Sequence, residues 1–436
     1  MRTYRILTLA VVFLALLVLC TFNAVAQSPE EFSVNGLKVV LKTNPTNDII
    51  SVKLYLRGGV FNINDSTQGI EPLIFGIAEK GSKKYPKEKL FQILDRTAAS
   101  ITHSSTHDYS SISLRCLKHQ FDELWDVFID VVMNPAFTEE DVNLVRKTML
   151  VNIRQRKDNP DSYLRELSND LFYQGHAYRL NPDGVESSVS SIRVEQMKSH
   201  LSEHLKTSKL LLVVVGNISK EVLAEKVKTS FGLLPKGDYS VPMILLVQHS
   251  SAAVKVVEQQ MPTNYIRGSF SVPNQADPDY YAMRVAINIL GYRLFEEVRT
   301  KRNLSYAPNS RMGNELVNQA FIYVTTVQPD TTIKVMFAEM KKLQTEPISA
   351  KVLKDRIALF LTDYYMGNET NSAQAEFLAN CEIVGKGWKT AESFIENIHH
   401  ITAADIQRVA NKYFRNLQMV VIGDPKLIDK TIFTSM

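Results

Sequence analysis

The sequence predicts an α+β protein made of two tandem domains that share one plan. About 410 residues remain when residues 1–26 are set aside, and this length is too great for one ordinary hydrophobic core. Helices and strands recur in the same order in both halves, which indicates a duplicated domain. Long helices and short strands alternate unevenly, and this favours α+β over a doubly wound parallel sheet.

The N-terminus has the pattern of a secretory signal peptide. Arg2 and Arg5 precede an apolar run at residues 6–19, and Ala24-Val25-Ala26 is a cleavage site of the A-x-A type. The run is shorter than a comfortable membrane span, although an uncleaved anchor is the alternative. We therefore expect removal of residues 1–26, no stable membrane span afterwards, and an exported protein that is periplasmic or associated with the cell envelope.

Charge and cysteine content exclude some classes of function. Without residues 1–26, Lys and Arg fall from 50 to about 48 against 46 Asp and Glu, so the net charge is about +2. Lysines at residues 80–89 are interspersed with acids, and no basic block suits nucleic acid. Cys116 and Cys381 lie in different halves, and buried free thiols are the default expectation for two such cysteines.

One repeated unit consists of a helix, a proline stop, a capping hydroxyl and a second helix. Apolar residues follow a helical period in each first helix, and Thr138 and Ser349 stand where an N-cap would begin each second helix. The predicted helices span residues 120–133 and 138–157 in the first half and residues 332–343 and 351–366 in the second. The two units therefore correspond.

The two halves also end alike, with a helix, a short apolar strand and a glycine turn. The helices are residues 191–206 and 402–415, and the strands are residues 210–215 and 419–422. Because prolines and glycines interrupt the pattern between the halves, we expect domains at residues 28–236 and 254–436 and a linker at residues 237–253. Further strands are predicted at residues 38–41, 50–56, 110–117, 254–257, 268–272 and 320–326.

The segment at residues 69–82 follows a predicted strand and precedes a basic loop and an amphipathic helix. This order is similar to the start of the pitrilysin/insulinase family of zinc metallopeptidases, which includes the mitochondrial processing peptidase. In that family a glycine opens the segment, a helix carries His-x-x-Glu-His, and Gly-Thr closes it. A glycine and a Gly-Ser pair keep this frame here, but the three chemical positions hold Pro72, Phe75 and Gly76.

The chemistry of the motif explains why these three positions matter. Two histidines four residues apart share a helix face and bind one zinc ion, and the glutamate takes a proton from the metal-bound water. Proline, phenylalanine and glycine can do neither. The family's third ligand, a glutamate on a later helix, aligns with Asn152, and a supporting glutamate aligns with Val145. The resemblance therefore implies a non-catalytic member with no metal of its own.

Arg299 and Tyr306 are similar to a second feature of the family. They lie seven residues apart, and in the family such a pair reaches from the second domain to the scissile peptide. A guanidinium and a phenol can donate to a carbonyl that gains negative charge. In some bacterial heterodimers one subunit holds zinc and the other supplies this pair.

The resemblance thus implies both an architecture and a partner. Each half would be a mixed, largely antiparallel sheet packed with helices. The chain would pair with a zinc-bearing homologous peptidase and help to bind and cleave unfolded peptides. It would hold no cofactor itself, since zinc is expected in the partner.

Histidines offer two other candidate sites. On a strand, His103 and His107 would share a face but lie more than about 13 Å apart, so we expect exposed polar residues and no metal. His200, Glu203 and His204 form a literal His-x-x-Glu-His on a predicted helix. The apolar stripe of that helix leaves both histidines on its flank, and family enzymes have no zinc there. We therefore expect surface histidines.

Two alternatives to a zinc-less subunit stay open. One is a non-enzymatic peptide-binding or scaffold protein of the same fold. The other is an active zinc metalloendopeptidase that uses His200, Glu203 and His204 or an unforeseen site. Zinc content and peptide hydrolysis by the pure chain distinguish the second alternative from the other hypotheses.

Overall fold

A computed structural model describes residues 28–436, so the predicted signal peptide lies outside the described residues. Six strands form the sheet of the N-terminal half. They are β1 (Glu30–Val34), β2 (Leu37–Thr43), β3 (Ile49–Arg57), β4 (Ser100–Ser105), β5 (Tyr109–Leu117) and β6 (Leu210–Gly216). Their order is β1-β2-β6-β3-β5-β4, and the β2–β6 pair is parallel while the other pairs are antiparallel.

The sheet of the C-terminal half repeats this plan without a counterpart of β1. Its strands are β7 (Ala253–Glu258), β8 (Asn264–Ser271), β9 (Asn309–Met312), β10 (Gln319–Thr326) and β11 (Gln418–Gly423). Their order is β7-β11-β8-β10-β9, and the β7–β11 pair is parallel. The predicted α+β fold of two similar domains, each with a mixed and largely antiparallel sheet, is confirmed.

Helices pack on both sheets, and they too occur in corresponding sets. The first half contains α1 (Ile70–Ala78), α2 (Lys87–Thr97), α3 (Phe121–Met133), α4 (Glu139–Asp158), α5 (Pro160–Phe172), α6 (Glu186–Ser191), α7 (Val194–His204) and α8 (Lys220–Lys228). The second half contains α9 (Tyr280–Leu294), α10 (Pro329–Thr345), α11 (Ala350–Gly367), α12 (Asn371–Ile383), α13 (Phe394–His399), α14 (Ala403–Tyr413) and α15 (Lys430–Phe433). Thr138 caps α4 and Ser349 caps α11, as predicted.

In each sheet, the strand that comes last along the chain is an interior strand that is buried on both faces. Alternate residues of β6 belong to two different apolar clusters, with Leu212 in one and Leu211 in the other. The first cluster is the core between the N-terminal sheet and its own helices. In β11, Val421 and Val420 divide in the same way. Since a run of consecutive apolar residues needs cover on two sides, each sheet requires a second apolar layer.

That second layer comes from the opposite half of the chain. Helix α12 of the second half packs on β3 and β6. Its Leu378, together with Trp388 just after the helix, joins the apolar cluster that contains Leu211. Helix α5 of the first half packs on β8 and β11, where Leu164 meets Val420. Each domain therefore contributes one helix that covers the sheet of the other domain. We call the buried interface between the two domains the seam.

Polar groups also cross this seam. The Glu376 carboxylate on α12 accepts hydrogen bonds from Lys53 Nζ at 2.7 Å and from the hydroxyls of Tyr55 and Tyr109 at 2.9 and 2.5 Å.

Cys116 and Cys381 are both free and buried, as expected. Within residues 28–436, no helix combines the length and the apolar character that a membrane crossing requires.

Candidate functional site

Helix α1 carries the positions that would bind zinc in the resembling family, and it remains helical. Gly69 precedes it with a φ of 84°, in the left-handed region, and a Cβ there would lie 2.8 Å from the Cα of Gly184. Pro72 is the third residue of the helix, where a backbone N–H has no partner within the helix anyway. The proline therefore costs α1 no hydrogen bond.

At the position of the motif's second histidine, neighbouring side chains leave no room beside Gly76 for a larger residue. A Cβ on Gly76 would lie 2.9 Å from Val145 Cγ1 of α4 and 3.4 Å from His103 Cε1 of β4. Phe75, at the position of the general base, is 4% exposed within the apolar core. Asn152 lies exposed two turns beyond Val145 on α4. These residues do not fit a zinc ion, and residues 28–436 contain no cluster of three or more His, Cys, Asp or Glu that could hold a metal.

The close contact between Gly76 and Val145 leads to a first prediction. Alanine favours helices over glycine by about 1 kcal/mol, but here we expect Gly76→Ala to lower the free energy of unfolding by about 1 kcal/mol because overpacking costs more. Urea denaturation measures this change. In a Val145→Ala background the same substitution should become neutral or stabilising, since the clashing methyl group is absent. An equal loss in both backgrounds would contradict the packing argument.

His103 and His107 do not lie together on a strand. His103 is in β4, but His107 is in the turn between β4 and β5. Each is partly buried and bonded to a carboxylate, with Nδ1 of His103 2.6 Å from Glu79 Oε1 and Nδ1 of His107 2.9 Å from Glu315 Oε1. The expectation of exposed histidines was wrong, because the β4–β5 hairpin turns His107 toward the C-terminal domain.

The expectation of surface histidines on α7 was also wrong for His200. Its side chain is 8% exposed, and its Nε2 lies 3.1 Å from Glu71 Oε1 of α1. His204 is half-buried and 2.7 Å from Lys209 Nζ, and burial together with His200 and Lys209 lowers the pKa of His204 to about 4. Glu203 is exposed. His200 thus completes a buried hydrogen-bond cluster around Glu71, and His204 pairs with Lys209 beside it.

Glu71 is the residue of this region that sequence reasoning missed. It is 4% exposed and also accepts hydrogen bonds from Asn62 Nδ2 and Ser110 Oγ. Burial raises its pKa, but the bonds and charge of His200 outweigh that effect, and the pKa of Glu71 lies below its usual value. An acid within the otherwise apolar run of α1 was the available signal, since a buried carboxylate requires partners.

Arg299 and Tyr306 are brought together in the C-terminal domain. Helix α9 continues into a π-helical turn, Phe295–Thr300, and a short loop returns Tyr306 to it. The Arg299 Cζ lies 3.9 Å from the centroid of the Tyr306 ring and 4.8 Å from that of Phe295. Tyr306 is 77% exposed. Among residues 28–436 no hydrogen bond or ion pair uses the Arg299 side chain, so stacking orients a guanidinium whose N–H donors remain available.

Strand β4 offers a second binding element. It lies at the edge of its sheet, so one side of it has no neighbouring strand among residues 28–436, and it packs against α1. A free edge presents backbone N–H and C=O groups that an extended peptide can pair with. Its outward residues, Thr102 and Ser104, are exposed and polar. The vacated zinc positions therefore lie next to a strand edge that can bind peptide backbone.

Comparison with known families gives two matches along the chain. Residues 38–181 match the family described as Insulinase (Peptidase family M16). Residues 191–360 match the description Peptidase M16 inactive domain. The two matches follow one another along the chain, and the second begins within the N-terminal half.

Individual relatives are similar over nearly the whole length. An uncharacterized zinc protease of Rickettsia felis is 24% identical over 404 residues, which cover 90% of this chain and 96% of the relative. The non-peptidase homolog YmxG of Helicobacter pylori is 21% identical and covers 98% of this chain and 99% of its own length. A crystal structure of a peptidase M16 inactive domain from Pseudomonas fluorescens has a TM-score of 0.83 at 19% identity, over 91% of this chain and 98% of that chain.

Proposed function

This chain belongs to the insulinase family of zinc metallopeptidases, peptidase family M16, and we propose that it is a non-catalytic subunit that binds unfolded peptides and completes the active site of a zinc-bearing sister peptidase. The observation that carries this proposal is the state of the zinc-site positions. Pro72, Phe75, Gly76 and Asn152 supply neither a set of ligands nor a base, and Val145 packs where a ligand would stand.

The Arg299–Tyr306 pair supports a role in trans. A guanidinium that contacts two aromatic rings is held in orientation at no cost in hydrogen bonds, so its N–H groups are free to bind an external acceptor. The exposed Tyr306 hydroxyl adds one more donor. Donors in fixed positions stabilise a peptide carbonyl as it gains negative charge. We propose that this carbonyl belongs to a peptide that the partner cleaves.

The free edge of β4 supports the binding of unfolded chains. Pairing with a strand edge uses only backbone groups, so it accepts many sequences, but it requires an extended segment. A folded protein offers few such segments, because most of its backbone groups are already paired within its own secondary structure. We propose that the substrates are unfolded peptides and that the pair works in the exported compartment indicated by residues 1–26.

The test is reconstitution with a zinc-bearing family M16 subunit from the same organism. The full-length mature chain alone should contain no stoichiometric zinc and hydrolyse no unstructured peptide, and mixing should produce chelator-sensitive hydrolysis. Arg299→Ala or Tyr306→Ala should lower kcat of the mixture by about 10²-fold to 10³-fold, the usual cost of removing a donor to a developing oxyanion. Tyr365→Ala, which removes another exposed tyrosine, is the matched control.

Other outcomes would overturn the proposal. If Arg299→Ala and Tyr306→Ala left the mixture fully active, a scaffold or peptide-binding role would replace the role in the active site. Chelator-sensitive hydrolysis by the pure chain, with about one zinc per chain, would instead establish an active metallopeptidase. Elemental analysis and peptide hydrolysis separate these two results.

A further inference from the structure

A second arginine stacks on an aromatic ring beside the first pair. Arg356 of α11 places its Cζ 3.6 Å from the centroid of the Tyr292 ring, which lies near the end of α9. Tyr292 is substantially exposed, and Arg356 is half-buried. In the part of the chain that the structure describes, no hydrogen bond or ion pair uses the Arg356 guanidinium. Its arrangement therefore repeats that of Arg299.

The two arginines occupy one surface. Tyr292 near the end of α9 and Phe295 in the π-helical turn that continues it lie three residues apart, so their Cβ atoms are about 5–6 Å apart. Arg356 stacks on the first ring and Arg299 on the second. The two guanidinium groups therefore lie at the same end of α9 within about 20 Å of each other, a distance that about six residues of an extended peptide span at about 3.3 Å each.

The surroundings of Arg356 favour a ligand with one negative charge and an apolar neighbour. Val352 and Leu359 lie four residues before and three residues after it, on the same face of α11, and both are exposed. An apolar border reduces the exposure of a bound ion to water and so strengthens its electrostatic attraction. A planar guanidinium matches a carboxylate through two parallel hydrogen bonds.

We propose that Arg356, held against the Tyr292 ring, binds a carboxylate of the same peptide whose backbone carbonyl is held by Arg299 and Tyr306. The carboxylate belongs either to an acidic side chain or to the C-terminus of the peptide. This inference rests on the proposed function for the identity of the ligand. It adds a preference of this subunit for anionic peptides, with Arg356 as the residue that determines it.

Direct binding to the full mature chain tests the preference without a partner. Fluorescence anisotropy compares labelled unstructured peptides that contain a single glutamate, a glutamine in its place, or neutral side chains with a free or an amidated C-terminus. The wild-type chain should bind a carboxylate peptide about tenfold more tightly than its neutral counterpart, as expected for a charge-assisted hydrogen bond. The peptide that shows this difference identifies the source of the carboxylate.

Substitution of Arg356 should remove the preference for carboxylate peptides and leave the binding of neutral peptides nearly unchanged. Arg356→Ala should bind the carboxylate peptide as weakly as the neutral one, while Arg356→Lys should keep part of the difference, because lysine retains charge but not the planar fork. Lys354→Ala is the matched control, since it removes an exposed cation from the same helix at a position about 200° away around the axis.

Two results would overturn the inference. One is a wild-type chain that binds carboxylate and neutral peptides equally. The other is an Arg356→Ala variant that loses affinity for both kinds of peptide by the same factor, which would indicate a structural role. Failure of the proposed function is separate, because a carboxylate preference without hydrolysis on mixing would reject only the role in the active site. An active mixture without the preference would reject only this inference.

Discussion

Replacing Glu376 by alanine is expected to lower the free energy of unfolding by about 3 kcal/mol. Glu376 accepts hydrogen bonds across the seam from Lys53 and from the hydroxyls of Tyr55 and Tyr109. Both tyrosines are buried, so the substitution leaves hydroxyl donors without their acceptor, and it also leaves Lys53 without its counter-charge. Urea denaturation followed by circular dichroism measures the loss.

The matched control is Glu369→Ala. Glu369 lies just before α12, is exposed, and should change the free energy of unfolding by less than about 0.5 kcal/mol, as is usual for surface positions. Limited proteolysis adds a local measurement, because loss of the Glu376 bonds should increase cleavage around α12. Equal stability of the Glu376→Ala and Glu369→Ala variants would show that this polar cluster does not hold the seam.

Asp108 forms a second polar contact across the seam, and its contribution to stability depends on pH. It is 3% exposed and accepts hydrogen bonds from the Tyr178 hydroxyl and from the Leu316 backbone N–H of the C-terminal half. Burial, together with the nearby Glu315 carboxylate, raises the pKa of Asp108 to about 7. The neighbouring His107 also has a raised pKa, because the charge of Glu315 outweighs the effect of burial.

We therefore expect the stability that Asp108 and His107 contribute to fall as the pH rises from about 5 to about 7, whereas His204, with its lowered pKa, contributes in the opposite direction. Asp108 and His107 have a higher pKa in the folded state than in the unfolded state, so the folded state binds more protons at these two groups in this window. Their contribution is complete below the unfolded pKa of Asp108 and is lost as the pH rises through its folded pKa. For Asp108 alone the change over this window is about 2 kcal/mol.

Asp108→Asn isolates this contribution. Asparagine keeps an acceptor for the Leu316 N–H but cannot ionise, so the urea midpoint of the variant should rise relative to that of the wild type between pH 5 and pH 8. Asp65→Asn is the control, because Asp65 is exposed and its loss should leave the pH dependence unchanged. A variant with the same slope as the wild type would show that Asp108 is ionised throughout.

Local patterns were sufficient for much of the fold. Helix periodicity and capping residues predicted α4 and α11, and Thr138 and Ser349 do cap them. Continuous apolar runs predicted β6 and β11 as buried strands. These features depend on residues that are close in sequence, so the sequence reveals them directly.

Contacts between distant residues were not predictable in this way. The histidines of α7 followed the spacing of a zinc motif, and their flank position suggested exposure, but His200 is buried against Glu71, 129 residues away. His107 was assigned to a strand, but the β4–β5 turn directs it to Glu315, 208 residues away. No periodicity encodes such pairs, because they form only when separate elements pack together.

The sequence by itself determined the duplicated order of elements, the family, and the loss of ligating residues at Pro72, Phe75, Gly76 and Asn152. Tertiary structure decided what replaced them. Val145 packs against Gly76, and α5 and α12 each cover the sheet of the opposite half. The physical reason is that spacing along the chain specifies which face of an element is apolar or reactive, whereas close packing in three dimensions selects the partner of that face.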